Sequence, residues 1–524
     1  MEAPLAGRTE SRTTTWLLGG LIGLLSAAAA VAVGELGAAV SDVLLGATAP
    51  SAPVVAVGEW AINFTPAWLK EAAIREFGTH DKTALLTGVY ITIAATSAVA
   101  GVIARRHLTW ATWLAGACGV IGLIAAITRP SAGVGGWFPA LLAGGAAVLV
   151  LRWLTIRSQE EGVLGDLSSP SDRRRFLVAL LGTGLGSVVG GYASKAWLDS
   201  QYNAAPALAA VRLPKPAEPL PAVPASVRPN VSGLEPFYTP NSAFYRVDTA
   251  LSIPQVDPST WMLRIHGMVD RPIELTFEEL LKMPLEEHDL TLTCVSNPVG
   301  GSYCGNARWL GAPLAPILRQ AGVQSGATQI LSTSTDGMTI GTPVEAVLDG
   351  RESMLAVAMN GATLPIAHGF PCRMLVPGLY GYVSATKWVV DLELTTFADT
   401  AYWVNEGWSQ QAPVKTASRI DVPQSGATVP AGTVVVAGVA WATHRGVDAV
   451  EVQVDNGPWV PAVLATSDTP DTWRMWSYAW PATSGQHTLT VRCTDGTGTL
   501  QTPVVQDVIP NGASGYHSIQ VQVS

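Results

Sequence analysis

Five runs close to a bilayer's thickness carry no charged side chain, and all five fall within the first 200 of 524 residues. They cover residues 16–34, 83–104, 108–128, 130–151 and 176–194. Spanning requires roughly 20 apolar residues, because a helix rises about 1.5 Å per residue and the hydrocarbon core is about 30 Å thick. Buried helices of a soluble core are the rival reading. Five uncharged runs in one block exceed what such a core uses, so an α-helical membrane domain of about five spans is expected over residues 1–198. A shorter run, 43–58, carries Pro50 and Pro53 and reads as a loop or re-entrant segment. Residues 60–77 mix Trp60, Phe64, Trp68, Ile74 and Phe77 with Lys70, Glu71, Arg75 and Glu76, which suits a helix lying in the interface.

Sidedness follows from Arg and Lys in the short loops. With the N-terminus inside, nine fall on the cytoplasmic side (Arg8, Arg12, Arg105, Arg106, Arg152, Arg157, Arg173, Arg174, Arg175) and five on the other (Lys70, Arg75, Lys82, Arg129, Lys195). Five crossings then place everything after about Leu198 outside the cytoplasm. Gly182, Gly186 and Gly190, spaced by four, suit a helix-packing face. Ser171-Asp172-Arg173-Arg174-Arg175-Phe176-Leu177 at the entrance to the fifth span resembles a twin-arginine export signal, and it equally suits a charged helix anchor.

The rest of the chain has another character. Residues 201–524 carry 17 basic and 27 acidic side chains, against 14 and 13 before them. An acidic soluble half argues against nucleic acid, whose binding needs basic faces. Five cysteines in this length exclude a disulfide scaffold. A proline-rich linker is expected over 199–235, with nine prolines between 204 and 240 giving an extended, semi-rigid tether. Over 236–400, short helices (276–282 after a Thr cap, 314–321) alternate with strands (261–269, 288–295, 388–394), so an α+β domain is expected. Over 410–524, strands at 433–441, 449–455, 473–480, 487–494 and 501–508, with turns at Asn456-Gly457 and Asp495-Gly496, predict an immunoglobulin-like β-sandwich. Trp441, Trp459, Trp473, Trp476 and Trp480 are expected to fill its core and edges.

Most signatures of protein-only catalysis are missing: no His-Glu-x-x-His, no Walker loop, no Gly-x-Ser-x-Gly, no Cys-x-x-Cys. The informative stretch is 290–309. Cys294 ends an apolar strand and enters a loop with Asn297, Pro298, Gly300 and Gly301. A thiol at a strand end is held rigidly, and a glycine loop lets a large group approach, which suits a thiolate ligand to a soft metal centre. A buried, inert cysteine is the other reading, and Cys304 or Cys372 fits the same part.

Several separated segments, in order, resemble the sulfite oxidase family of molybdenum enzymes. They are Thr293-Cys294-Val295-Ser296-Asn297 with Gly300-Gly301, Ala307-Arg308-Trp309-Leu310-Gly311-Ala312-Pro313-Leu314, Met359-Asn360-Gly361-Ala362-Thr363-Leu364-Pro365, His368-Gly369-Phe370-Pro371-Cys372-Arg373, Val376-Pro377-Gly378 and Lys387-Trp388. Phe244-Tyr245-Arg246 resembles the family's first pterin-contacting element. Gly438-Val439-Ala440-Trp441 and Val450-Glu451-Val452-Gln453-Val454-Asp455 resemble its dimerisation domain. The likeness covers about 236–508 and none of the membrane region.

The resemblance implies a sulfite-oxidase-like molybdopterin domain, with molybdenum held by a pyranopterin and by one protein thiolate, that of Cys294. It assigns His368 and Arg373 to the cofactor phosphate, and Lys387 with the backbone of Ser384 to Thr386 to closing the pterin site. Tyr245, Arg246, Asn297 and Asp336 are further pterin contacts, and Arg246 and Trp309 line the substrate pocket. Animal and plant sulfite oxidases have an arginine a few residues after the cysteine; here Pro298-Val299-Gly300 stand there, so the anion pocket lacks a positive charge unless Arg308 supplies it. The expected activity is therefore oxygen-atom transfer by a membrane-anchored extracytoplasmic oxidoreductase acting on a small oxo-anion or oxide. The alternatives are an S- or N-oxide reductase of the same family, or a non-catalytic sensor or transport protein. Electrons would pass to or from a quinone or a partner protein, and a homodimer stays open.

Overall fold

The computed structural model describes residues 12–45, 52–66, 69, 81–129, 136–160, 170–201 and 203–524. The chain divides into two compact units: Met1–Asn203 with Thr249–Ile253, and Ala204–Asp248 with Pro254–Ser524.

The first unit is helical: Arg12–Leu45, Pro53–Phe64, Asp81–Ala104, Leu108–Ile127, Phe138–Glu160 and Pro170–Gln201. Among the described residues, five helices are long and apolar enough to cross a membrane. Their outward side chains suit lipid rather than water, as with Leu181, Leu185, Val188 and Val189 in the last of them. Three expectations shift. The 43–58 stretch is not a loop throughout, because the first helix continues to Leu45 and a new one opens at Pro53, where proline's fixed φ is tolerated. The fourth span begins at Phe138 rather than at 130, and 130–135 lie outside the described residues, as does most of 60–77. The helix-packing glycines are also different ones. A Cβ on Gly23 would sit 1.8 Å from the Ser97 carbonyl oxygen, and one on Gly101 would sit 2.0 Å from that of Gly19. Of the expected three, a Cβ on Gly182 or Gly186 meets nothing within 4 Å among the described residues, and one on Gly190 lies 3.9 Å from Ala32 Cβ, an ordinary contact.

The second unit starts with the proline-rich segment, which packs instead of tethering. The Ala217 amide donates to Leu285 O at 2.7 Å, that of Leu220 donates to a Glu287 carboxylate oxygen, and Val227, Leu234 and Phe237 are buried. Proline cannot join a ladder, yet an extended chain still offers carbonyl acceptors and apolar rings. Two sheets follow. The strands are β1 Met262–Gly267, β2 Ile273–Thr276, β3 Glu286–Thr293, β4 Cys304–Pro313, β5 Gln329–Ser334, β6 Thr339–Pro343, β7 Met354–Met359, β8 Ala362–Thr363, β9 Arg373–Leu375 and β10 Val389–Thr395. One sheet runs β2-β1-β10-β5-β6; the other runs β3-β4-β7-β8, with β9 on β7. The short helix Phe277–Lys282 is closed at its start by a Thr276–Glu279 capping box, and Leu314–Ala321 ends at left-handed Gly322. This is the α+β domain read from the sequence.

The remaining strands are β11 Ala417–Val422, β12 Thr428–Val429, β13 Gly432–Trp441, β14 Val447–Val454, β15 Trp459–Pro461, β16 Val463–Leu464, β17 Arg474–Ala482, β18 Gly485–Asp495 and β19 His517–Val523. They form sheets β11-β13-β17-β16 and β12-β19-β18-β14-β15, an immunoglobulin-like sandwich. Its last strand is β19, not 501–508, where only Gln506 makes an isolated bridge. Val504 and Val505 there are exposed, so the apolar run has no face to bury. Trp476 and Trp480 fill the sandwich core. Trp441 and Trp473 belong to the core shared with the α+β domain, where Trp473 Nε1 donates to Phe237 O at 3.0 Å.

Candidate molybdopterin site

β3 and β4 pair antiparallel, with Thr293 opposite Cys304, and loop 294–303 joins them. Cys294 is buried at the loop's base, its amide donating to Tyr303 O at 2.9 Å. Asn297 closes the loop from within: its Oδ1 accepts the Tyr303 amide at 2.9 Å. Burial pushes the Cys294 thiol up, while hydrogen bonds from Ser296 and the Lys387 charge act in the opposite sense. Those opposing contacts are what a thiolate ligand needs.

Cationic groups gather beside it. Arg373, on β9, is buried, and its guanidinium lies 5.5 Å from the Trp309 ring centroid. Its Nη1 donates to His368 O at 3.4 Å, and its Nε has no partner. Burial presses it down to about 10. Lys387 Nζ lies 2.5 Å from Asp248 Oδ2, and burial, against the Asp248 charge, brings it down to about 8. Arg246 reaches the same carboxylate through Nε at 2.8 Å and Nη2 at 3.2 Å. His368 Nε2 lies 3.1 Å from Asn241 O; burial, then Arg373, holds it at about 4 and therefore neutral. Tyr245 stacks on Phe244 with centroids 5.3 Å apart, and its hydroxyl titrates well above its usual range through burial and then the Cys294 charge.

The backbone makes this crowding feasible at two points. Gly369, at φ +118°, leaves room a side chain would take: its Cβ would lie 3.1 Å from Lys387 Cα and 3.2 Å from Arg373 Cβ. Trp388, at φ +49°, is in the left-handed region that bulky residues avoid, and its Nε1 is pinned to Ile366 O at 2.8 Å. It directly follows Lys387.

The contacts of the other expected site residues lie within the fold. Trp309 is fully buried, with Nε1 directed at Leu290 O, so it is the floor beneath Arg373 and not a pocket surface. Arg308 does not make up for the missing loop arginine. Alternation along β4 sends it to the opposite face from Trp309. There it grips Asp289 at 2.8 Å and the Leu220 and Pro221 carbonyls, fastening the proline-rich segment. Asp336 accepts from the Ser334 hydroxyl and the Met338 amide and closes its own turn. The Ser384 hydroxyl donates to Leu379 O and Tyr380 O, and that of Thr386 pairs with Ser332 at 2.6 Å. Both carbonyls accept amides of the β9 region, from Val376 and Met374, so they fix the strip that carries Lys387.

Asp248, which joins Arg246 to Lys387, was not legible in the sequence, because a lone Asp near a proline-rich stretch carries no spacing signal. Around it, Arg246, Arg373 and Lys387 bring three positive charges against one carboxylate, with a buried guanidinium nitrogen unpartnered. Burying cations on such terms is costly unless an anion completes the set. The residues therefore fit a phosphorylated cofactor next to a thiolate.

Residues 250–403 match the family of oxidoreductase molybdopterin binding domains, and 417–491 match bacterial Ig domains. The uncharacterized oxidoreductase YuiH of Bacillus subtilis is 33% identical over 152 residues, covering 29% of this chain and 74% of that protein. This chain belongs to the sulfite oxidase family of molybdopterin-binding oxidoreductases. Human mitochondrial sulfite oxidase is 30% identical over 308 residues, which are 49% of this chain and 56% of the relative; the chain thus spans about half the length of that relative. The sulfane dehydrogenase SoxCD from Paracoccus pantotrophus aligns at TM-score 0.49 and 23% identity, over 55% of this chain and 82% of that one. The family's cofactor is molybdenum with molybdopterin.

Proposed function

We propose that this protein is a membrane-anchored, extracytoplasmic molybdenum oxidoreductase that moves an oxygen atom to or from a small substrate. The observation that carries the reading is the buried cationic cradle, with Arg373 Nε unpartnered, beside Cys294. Cys294 is the protein's thiolate to the metal. Arg373 and Lys387 match phosphate charge, the guanidinium through its fork and the ammonium as a point charge, while neutral His368 borders them with its one N–H directed at Asn241 O. Tyr245 and Arg246 stand at the same site. When bound, the molybdenum–pterin group supplies the two-electron oxygen-atom chemistry. The chain's part is to orient it, with Ser296 hydrogen bonds tuning the sulfur and the Trp309 floor excluding water. Odd-numbered crossing and nine cytoplasmic-side cations against five support the outward placement. Protein purified in detergent should hold molybdenum and pterin near one per chain, and Cys294→Ser should lose turnover while keeping the fold. A fully loaded preparation without molybdenum, or a Cys294→Ser enzyme as active as its parent, overturns the reading.

A second reading, reduction of a neutral S- or N-oxide, is favoured by one observation. Residues 295–303 contain no charged side chain, and Arg308 is engaged with Asp289. No guanidinium follows the cysteine to receive sulfite. Turnover of sulfite compared with sulfoxides and amine oxides, using artificial electron donors and acceptors, decides between the two. Exchange of electrons with a quinone or a partner protein belongs to the same proposal and is read by replacing those artificial reagents.

A further inference from the structure

We propose that the immunoglobulin-like domain is a working half of the cofactor site, with Arg419 the positioning residue through which it fixes the loop bearing Cys294. The consequence for chemistry rests on Cys294 being the metal ligand, as proposed above; the mechanical claim does not.

The loop's own bonds are few. Besides the Cys294 and Asn297 contacts, the Gly301 amide donates to Pro298 O at 2.9 Å. Its tip is held from the sandwich. Arg419, on β11 and with a side chain only 5% exposed, donates through Nη1 to Gly301 O at 2.8 Å. Its Nε lies 2.5 Å from Asp421 Oδ1, and its Nη2 faces Glu235 Oε2 at 3.3 Å. One rigid guanidinium thus hydrogen-bonds both the sandwich and the cysteine loop, and sets its remaining nitrogen, which makes no hydrogen bond, within ion-pair distance of the packed proline-rich segment. A second contact comes from β19. His517 Nδ1 accepts the Ile420 amide at 3.0 Å, which sets its ring, and the ring lies against Gly300. A Cβ at Gly300 would stand 2.2 Å from His517 Cδ2, and the residue's φ is +76°.

Stability alone does not call for this charge. A buried ion pair replaced by well-packed apolar residues is often neutral or better. What an arginine adds here is a fixed direction onto a carbonyl of the loop whose base carries the sulfur. Small displacements of such a ligand change what it does to a bound centre.

The test uses full-length protein in detergent. Arg419→Lys keeps the charge toward Asp421 and lacks the second arm; His517→Ala keeps the ion pairs and frees the loop tip. Arg492→Gln, which removes the pair with Glu451 on the same sandwich, controls for general loosening. Amide hydrogen exchange over 294–303 is read in cofactor-free protein, and the electron paramagnetic resonance spectrum of half-reduced molybdenum in loaded protein. Arg419→Lys should speed exchange of the Cys294, Asn297 and Gly301 amides by about tenfold and shift the spectrum, from the loss of a charge-assisted bond. His517→Ala should speed Gly301 exchange less, and Arg492→Gln should match the parent. Should Arg419→Lys not fold, His517→Ala alone carries the test. Parental exchange in both Arg419→Lys and His517→Ala, or an equal rise in Arg492→Gln, overturns the proposal. If the parent binds no molybdenum, the exchange arm still decides the positioning claim, and the failure falls on the proposed function.

Discussion

An arginine is buried both beside Cys294, as Arg373, and in the sandwich, as Arg419, but the charges around the two are met on different terms. In the sandwich, Arg419 meets Asp421, and Arg445 meets Asp495 at 2.9 Å; Asp495 is further held by Thr416, Thr497 and Thr499 and titrates far below the usual carboxylate range. Around Cys294, Arg373 faces a backbone carbonyl and a tryptophan ring with its Nε unpartnered, and Lys387 shares one Asp with Arg246. A paired buried charge completes the fold, whereas an uncompensated one anticipates a ligand.

That contrast breaks in measurable ways. Asp495→Ala should cost the most, about 2–3 kcal/mol, because it takes the shared acceptor from Thr416, Thr497, Thr499 and Arg445; chemical denaturation reads it, and a loss under about 1 kcal/mol would blur the distinction. Arg373→Met should do the reverse in cofactor-free protein, raising stability by about 1–2 kcal/mol, while the fraction of chains retaining molybdenum falls at least tenfold. Loss of stability without the cofactor would show Arg373 to be a structural charge.

The pH response sharpens the comparison further. Burial holds His368 and His517 at about 4, against an ordinary value near 6.5. The unfolded chain therefore binds protons first as pH falls, so the stability these groups confer is complete above about 6.5 and is lost between 6.5 and 4. Unfolding free energy followed by denaturation over that window should fall less steeply in His517→Gln than in the parent, by a difference on the order of 1 kcal/mol. The smallest effect is that of Thr276→Ala, which removes the capping box of Phe277–Lys282 and touches neither charge set; about 1 kcal/mol or less is expected by denaturation, with molybdenum content unchanged.

Patterns of short range were legible. Five uncharged runs gave five long apolar helices, Thr276 gave a cap, and alternation gave β1, β3, β10, β13, β14, β17 and β18. The Cys294 loop and the His368–Arg373 segment stood out through their likeness to a family, and the fold brings Arg373, Lys387, His368, Arg246 and Tyr245 into one neighbourhood with Cys294. Other readings failed for a common reason. Whether Pro219–Pro221 tether or pack depends on Arg308 and Glu287, which lie about 70–90 positions away. Whether a glycine packs depends on the helix opposite it, as with Gly23 against Ser97.

By itself, then, the sequence determined which segments are long and apolar enough to cross a membrane, which alternate as strands and which cysteine sits at a strand end, because hydrophobic period and chain stiffness act over a few residues. Only the tertiary structure decided that Arg308 faces away from the cysteine, that Asp248 couples Arg246 to Lys387, and that a sandwich arginine reaches the loop of Cys294. Those outcomes depend on which distant groups burial forces together, and a buried charge takes its meaning from its partners rather than from its neighbours in the chain.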